Sequence, residues 1–182
     1  MPSIRQYYFE NINKIEASSN ISRTQFLHLI CKFNNLKNEA ELLMHFDDEM
    51  KAKNEVNLII DKVIKGEMLE YLINEAFFYD DFYYVNSHVL IPRQETEELV
   101  HYFCKYVDKI GSNLDIADIC TGSGCIAVAL SKHCSINNLY ASDVSKEALN
   151  VAKINSDKYN ANINFLEGNI TDPFIKNNIK VD

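Results

Sequence analysis

A glycine-rich turn between a predicted strand and a predicted helix is the segment of this sequence best suited to chemistry. It reads D-I-C-T-G-S-G-C-I-A over residues 118–127. Glycines at 122 and 124 would let the backbone approach a bound cofactor closely, because a side chain there would block it. The spacing Gly-x-Gly-x-x-Ala fits the dinucleotide fingerprint. The turn alone therefore does not separate S-adenosylmethionine from NAD.

Two carboxylates flank this turn. Asp143 ends the next predicted strand, 19 residues past Gly124, where it can accept hydrogen bonds from both hydroxyls of a ribose. Asp143 could instead be the N-cap of the following helix, since aspartate is a favoured capping residue. Asp118 lies just ahead of the turn, where it suits a cationic amino group and would repel a diphosphate. Asp118 therefore favours S-adenosylmethionine.

A further polar position follows the third predicted strand, in the segment E-G-N-I over residues 167–170. A polar side chain beside an apolar one could contact an adenine ring there, although Asn169 could also be an ordinary turn residue. The predicted cofactor-binding residues are Asp118, Cys120, Thr121, Gly122, Ser123, Gly124, Asp143, Asn169 and Ile170. We assign no catalytic residue within this sequence.

Alternating strands and helices are expected to position these residues. Strands are predicted over 114–120, 138–143 and 163–167, with helices over 124–133 and 146–159 between them. This alternation is typical of a parallel, doubly wound sheet. A preceding helix over 95–110 is expected to stop at Gly111 and to bury one face, formed by Leu99, Phe103, Val107 and Ile110.

The first part of the chain, to about Met68, has a helical pattern. Ser22 with Gln25, and Asn38 with Glu41, resemble N-caps with reciprocal partners. Three apolar faces follow at helical spacing: Phe26, Leu27 and Ile30; Leu42, Leu43 and Phe46; and Val56, Ile59, Ile60, Val63 and Ile64. A small helical bundle is predicted, followed over 77–90 by short strands joined by tight turns.

Composition excludes several classes of protein. The formal net charge is -8, and the 18 basic residues are scattered, so a direct nucleic-acid partner is not expected. No apolar run approaches the roughly 18 residues of a membrane span, and the first residues lack the apolar core of a signal peptide. We expect a soluble, cytoplasmic protein without a membrane partner.

The five cysteines lack C-x-x-C spacing and fall mostly among apolar neighbours. They are interpreted as buried, unpaired thiols in a reducing compartment. A zinc site would need His28 with Cys31, or His133 with Cys134, and neither pair has a second matching pair. No metal site is predicted.

Residues 89–100, V-L-I-P-R-Q-E-T-E-E-L-V, resemble the L-I-P-R-P-E-T-E-x-L-V signature of the HemK or PrmC family of glutamine-N5 methyltransferases. The segment D-I-C-T-G-S-G-C-I-A-V-A-L that follows is similar to the family's D-L-G-T-G-S-G-x-I-A-V-A-L. Gln94 replaces a proline and Cys120 a glycine of that pattern, and neither changes the predicted fold. Asn169 stands where an acid is common.

The resemblance implies an α/β fold, with a small N-terminal helical bundle and the first half of a class I, Rossmann-like methyltransferase domain. It divides the chain into a substrate-recognition domain over 1–70, a β-hairpin linker over 71–94 and a partial methyltransferase domain over 95–182. It implies S-adenosylmethionine as the methyl donor. The implied substrate is the glutamine of the Gly-Gly-Gln motif in peptide chain release factors, which act in translation termination.

The family's Asn-Pro-Pro-Tyr motif, thought to hold and orient the glutamine amide, does not occur in this sequence. The resemblance therefore implies a methyltransferase truncated before this motif and inactive in this form. Two alternatives remain: a non-catalytic binding module or fragment, and an NAD-dependent Rossmann oxidoreductase. The oxidoreductase would share the glycine turn, but it has no use for the 89–100 motif or the helical domain.

Overall fold

The computed structural model describes residues 1–111 and 114–182, and these form two compact units, Met1–Leu72 and Ile73–Asp182. The division into parts over 1–70, 71–94 and 95–182 stays a prediction.

The first unit is helical. Its helices are α1 (Ile4–Glu16), α2 (Arg23–Asn34), α3 (Glu39–Met44) and α4 (Lys53–Ile64), and α5 (Leu69–Ile73) spans the boundary. The predicted capping box is confirmed at α2, where Ser22 and Gln25 satisfy each other's backbone N–H groups. Asn38 caps α3 through the Glu41 N–H, whereas the Glu41 carboxylate accepts from Lys37 N.

The core of this unit contains most of the predicted apolar positions. Phe26, Ile30 and Leu42 are buried, as are Val56, Ile60 and Val63. Leu43 was expected on the buried face of α3 and is 69% exposed. A helix of six residues presents only one side to its neighbours, and Leu42 occupies that side.

The second unit begins with an antiparallel hairpin, β1 (Ala76–Phe78) and β2 (Asp81–Tyr83). Tyr79 and Asp80 form its turn with positive φ, inside the region predicted to hold short strands and tight turns. Residues 84–94 form no further strand, so the prediction of strands up to residue 90 is wrong there. Phe78 and Tyr83 are fully buried in the core of this unit.

A three-stranded parallel sheet forms the centre of the second unit. The elements are α6 (Glu95–Ile110), β3 (Asp115–Ile119), α7 (Cys125–His133), β4 (Asn138–Asp143), α8 (Lys146–Tyr159), β5 (Asn164–Glu167) and α9 (Asp172–Lys176). The strand order is β3-β4-β5, and both pairings are parallel. The alternation of strands and helices confirms the α/β prediction and places the three strand ends side by side.

The outer edge of β3 has one backbone partner at its first residue. Asp182 N donates to Asp115 O at 2.9 Å, and the Asp182 carboxylate accepts from Asp115 N at 2.9 Å. Among the strand pairings of the described residues, β3 pairs with β4 on one side and with no strand on the other.

Helix α6 has its predicted bounds, and Gly111 ends it with a φ of 98°. Its predicted buried face is partly wrong, since Leu99 is 57% exposed and Ile110 47% exposed. The buried residues are Val100, Cys104 and Val107. Both the predicted set and the buried set of apolar residues fit a spacing of 3.6 residues per turn. Contact with α7 determines which set is buried.

Cys104 and Cys134 are joined by a disulfide, so the interpretation of all five cysteines as unpaired thiols is wrong for these two. Packing of α6 against α7 brings the two together without C-x-x-C spacing. Cys31 and Cys125 are buried thiols, and Cys120 is an exposed one.

Among the residues that the structure describes, no helix is long and apolar enough to cross a membrane. Within the same ranges, no group of three or more histidine, cysteine or acidic side chains could hold a metal ion.

Candidate functional site

The glycine turn joins β3 to α7, and backbone hydrogen bonds hold it at Thr121 and Gly124. Thr121 N donates to the Ser142 carbonyl on β4 at 2.9 Å, and Gly124 N donates to the Thr121 carbonyl at 2.9 Å. Cys120 precedes them with a φ of 64°, a conformation that a non-glycine residue rarely adopts. This conformation leaves the Cys120 side chain exposed at the mouth of the turn. These hydrogen bonds and this φ define the backbone path of the turn.

The two glycines of the turn serve different purposes. Both have positive φ, 56° at Gly122 and 76° at Gly124. A Cβ at Gly122 would meet nothing within 4 Å, so that face of the turn is open for a ligand to approach. A Cβ at Gly124 would lie 2.9 Å from the Cβ of Ala152 on α8. Gly124 is thus required for helix packing, whereas the prediction assigned both glycines to cofactor approach.

Asp143, at the end of β4, connects two loops through its carboxylate. Gly122 N donates to Oδ2 at 3.0 Å, and Ser145 N donates to Oδ1 at 2.9 Å. The N-cap of α8 is Ser145, whose hydroxyl accepts from Ala148 N. The alternative reading of Asp143 as that cap is therefore wrong. A carboxylate offers about four acceptor positions, so the half-buried Asp143 keeps about two for hydroxyl donors.

Asp118 lies near the end of β3 behind the turn. Its carboxylate accepts from the Thr121 hydroxyl at 2.6 Å. Burial raises the pKa of Asp118, and the charge of Asp143 adds to this; the Thr121 hydroxyl and the Ala127 backbone N–H oppose it. No ion pair between described residues involves Asp118. A cationic group bound beside it would favour its charged form.

Asn155 was missed by the sequence analysis, although it is completely buried against the turn. Its Nδ2 donates to the Ser123 carbonyl at 2.9 Å and to the Tyr84 carbonyl at 2.9 Å, and its Oδ1 accepts from Tyr84 N at 2.7 Å. The signal that could have found it is an amide on the otherwise small and apolar face of α8, beside Ala148 and Ala152.

The loop after β5 reaches the same edge of the sheet, since Gly168 N donates to the Asp143 carbonyl at 3.0 Å. Asn169 and Ile170 follow and are exposed, with a φ of 44° at Ile170. No described hydrogen bond joins either side chain to the glycine turn. The structure therefore brings the three loops together, but it leaves the adenine contact of Asn169 and Ile170 a prediction.

This edge fits the nucleoside and amino-acid parts of S-adenosylmethionine. Asp143 has spare acceptor positions beside the open face of Gly122, as two ribose hydroxyls require. Asp118 offers a half-buried carboxylate without an ion-pair partner among the described residues, which suits an ammonium group.

Comparisons with known proteins cover the part of the chain that contains the candidate site. A methyltransferase domain family matches residues 116–181, which include the glycine turn and Asp143. The Release factor glutamine methyltransferase of Bacillus subtilis is 37% identical over 164 residues, which cover 80% of this chain and 57% of the relative. The protein of the same name from Mycoplasma mycoides subsp. mycoides is 30% identical over 178 residues, which cover 96% of this chain and 62% of the relative.

Among solved structures, the ribosomal protein L11 methylase of Lactobacillus delbrueckii subsp. bulgaricus aligns with 43% of this chain and 40% of its own, with 25% identity and a TM-score of 0.38. This similarity is too slight to contribute to the assignment. The chain spans about three fifths of the length of the two curated relatives described above. From the identity with these relatives and the methyltransferase domain match, the chain belongs to the release factor glutamine methyltransferase family.

Proposed function

We propose that the second unit binds S-adenosylmethionine, and that the protein methylates the side-chain nitrogen N5 of the glutamine in the Gly-Gly-Gln motif of peptide chain release factors. The observation that carries the proposal is the Asp143 carboxylate. It is held by Gly122 N and Ser145 N and keeps acceptor capacity on the open side of the turn.

Each residue of the site has a specific role in this proposal. Asp143 would accept from the ribose hydroxyls, and Asp118 would face the ammonium of the methionine part. Cys120, Thr121, Gly122, Ser123 and Gly124 would form the turn around that part, and Asn169 and Ile170 would contact the adenine. S-adenosylmethionine supplies a methyl group bonded to a positively charged sulfur.

The proposed substrate group is a poor nucleophile, because the lone pair of an amide nitrogen is delocalised into its carbonyl. Transfer to such a nitrogen depends on proximity and alignment more than on acid–base chemistry. The described residues therefore contribute by binding and orienting the methyl donor. The substrate assignment is supported by the names of the relatives, and recognition of the release factor is proposed for the helical unit.

An NAD-dependent oxidoreductase is less well supported. Asp118 lies behind the turn, with no ion-pair partner among the described side chains, where it would repel a diphosphate. A protein that modifies release factors would work in the cytoplasm, where translation ends. The net charge of -8 gives no support to direct nucleic-acid binding.

Calorimetric titration of the chain with S-adenosylmethionine, S-adenosylhomocysteine and NAD tests the cofactor assignment. We expect saturable binding of the first two and none of NAD. Binding of NAD alone would contradict the proposal.

The substrate assignment is tested by measuring how the chain binds to surface-immobilised, unmodified release factor. An immobilised translation elongation factor is the control. Equal binding to both proteins would contradict release-factor recognition.

A further inference from the structure

Three residues on one face of α8 connect separate parts of the second unit. Ala152 contacts Gly124 of the glycine turn, and Asn155 binds both Ser123 and Tyr84. The Tyr159 hydroxyl donates to the Phe82 carbonyl of the hairpin at 2.6 Å. Positions 152, 155 and 159 are three and four residues apart, so they form one stripe on the helix.

Asn155 is the only member of this stripe that binds both the turn and the segment leading out of the hairpin. Its two N–H groups are both used, one by Ser123 O and one by Tyr84 O, and its carbonyl oxygen is used by Tyr84 N. The Asn155 side chain is 0% exposed, so water cannot replace these partners. The partners also fix the orientation of the amide, since a reversed amide would place its oxygen against two carbonyls.

The Tyr84 segment continues to Ile91, Pro92 and Arg93, which carry the family-like motif, and then into α6. Tyr84 has both its N–H and its carbonyl bound by one side chain, an arrangement that mimics pairing with a neighbouring strand. Ser123 lies between the two glycines of the turn and is 3% exposed. Through Asn155, the turn and the start of this segment share a single buried anchor.

We propose that Asn155 is a positioning residue for cofactor binding, which holds the Ser123 carbonyl and the Tyr84 backbone together so that the glycine turn and residues 84–93 are ordered as one unit. This inference rests on the proposed function, because it assigns the anchor a role in binding S-adenosylmethionine. Because the coupling is reciprocal, a ligand that orders the turn also orders Tyr84.

The test compares Asn155→Ala with the wild-type chain by calorimetric titration with S-adenosylhomocysteine, alongside amide hydrogen exchange measured by NMR. The control is Tyr159→Phe, which removes one hydrogen bond to the hairpin from the same helix face without touching the turn. Asn155→Ala removes all three hydrogen bonds and should weaken affinity roughly tenfold, since the bond to the Ser123 carbonyl is the one that holds the turn. Tyr159→Phe should leave affinity unchanged.

Amide exchange separates positioning from general destabilisation. In the wild type, S-adenosylhomocysteine should slow exchange at Tyr84 N as well as at Thr121 N and Gly122 N. In Asn155→Ala, the protection at Tyr84 should be lost while the turn amides still respond to ligand. A variant that is merely less stable would instead exchange faster at all positions, including the helical unit.

Wild-type binding with unchanged affinity in Asn155→Ala would overturn the positioning role alone. A wild-type chain that does not bind S-adenosylhomocysteine would overturn the proposed function, and this inference with it. If Asn155→Ala does not fold, Asn155→Ser, which retains one donor, takes its place with the same expected direction. The wild-type exchange measurement tests the coupling without any variant. If the exchange rate of the Tyr84 amide does not change when S-adenosylhomocysteine binds, the coupling is overturned.

Discussion

Gly124 packs directly on Ala152, so closely that a Cβ added at Gly124 would lie 2.9 Å from the Ala152 Cβ and 3.1 Å from its Cα. Gly122, two residues earlier, has nothing within 4 Å of the same hypothetical atom. The two glycines of one turn are thus required for different reasons, by the fold at Gly124 and by the proposed ligand at Gly122.

Gly124→Ala should lower the free energy of unfolding by about 3 kcal/mol, from a left-handed backbone and an overpacked contact. In a double-mutant cycle with Ala152→Gly, the coupling energy should be about 1–2 kcal/mol, because the second change removes the 2.9 Å contact with the Ala152 Cβ and leaves the 3.1 Å contact with its Cα. Urea denaturation of the four proteins measures both quantities. Additive effects would show that the contact is not the cause.

Gly122→Ala should cost only about 1 kcal/mol of stability, because its φ of 56° is unfavourable for alanine but no atom is in the way. Its affinity for S-adenosylhomocysteine should fall at least roughly tenfold, since the methyl occupies the open face of the turn. Urea denaturation measures the loss of stability, and calorimetric titration measures the loss of affinity. Both are compared with the values for Gly124→Ala. Wild-type affinity would mean that the ligand does not approach this face.

Asp143→Ala should reduce both stability and affinity. Losing the acceptor of Gly122 N and Ser145 N should cost about 2 kcal/mol of stability, and losing the ribose contacts should weaken affinity about thirtyfold. Ser145→Ala is the matched control, since it removes the true cap of α8 and should cost about 1 kcal/mol without changing affinity. Equal affinities in both variants would remove Asp143 from the site.

Asp118→Asn should raise the melting temperature at pH 7 and weaken binding of S-adenosylmethionine. Because burial raises the Asp118 pKa, the native state binds a proton more tightly than the unfolded chain. Wild-type stability therefore falls as pH rises from the ordinary pKa of 3.8 to the raised value. The difference between the melting temperatures should shrink as the pH is lowered through this range. A difference in melting temperature that does not change with pH would contradict the raised pKa of Asp118.

The 182-residue polypeptide should transfer no methyl group to an unmodified release factor, since no Asn-Pro-Pro-Tyr motif occurs in it to orient the amide. Incubation with labelled S-adenosylmethionine measures transfer, with the Bacillus subtilis relative as the positive control. Incorporation above a sample without the chain would show that other residues can align the substrate.

The secondary structure of the second unit was largely predictable, because its strands and helices alternate and end at strong local signals. β4 and α8 have their predicted bounds, and α6 stops at Gly111 as expected. The short helices α5 and α9 were not predicted. Five residues are too few to show a helical period, so packing must decide their conformation.

The site was predicted less completely than the fold. The glycine turn and Asp143 follow from spacing, whereas the role of Ser145 as the cap depends on how the chain leaves β4. Asn155 stands out locally as an amide on a small, apolar helix face, but its partners are 32 and 71 positions away, and no local pattern identifies them. The disulfide between Cys104 and Cys134 likewise depends on two helices meeting.

The outer edge of β3 has a consequence for how this polypeptide behaves in concentrated solution. Among the described residues, the backbone contact of Asp182 with that edge reaches Asp115 alone, so in a polypeptide of just these 182 residues the other backbone groups of the edge are open to pairing with a strand from another molecule. Self-association of the purified polypeptide should therefore start there and grow with concentration. A lysine substituted into this edge would be the first change to make in preparing samples for spectroscopy.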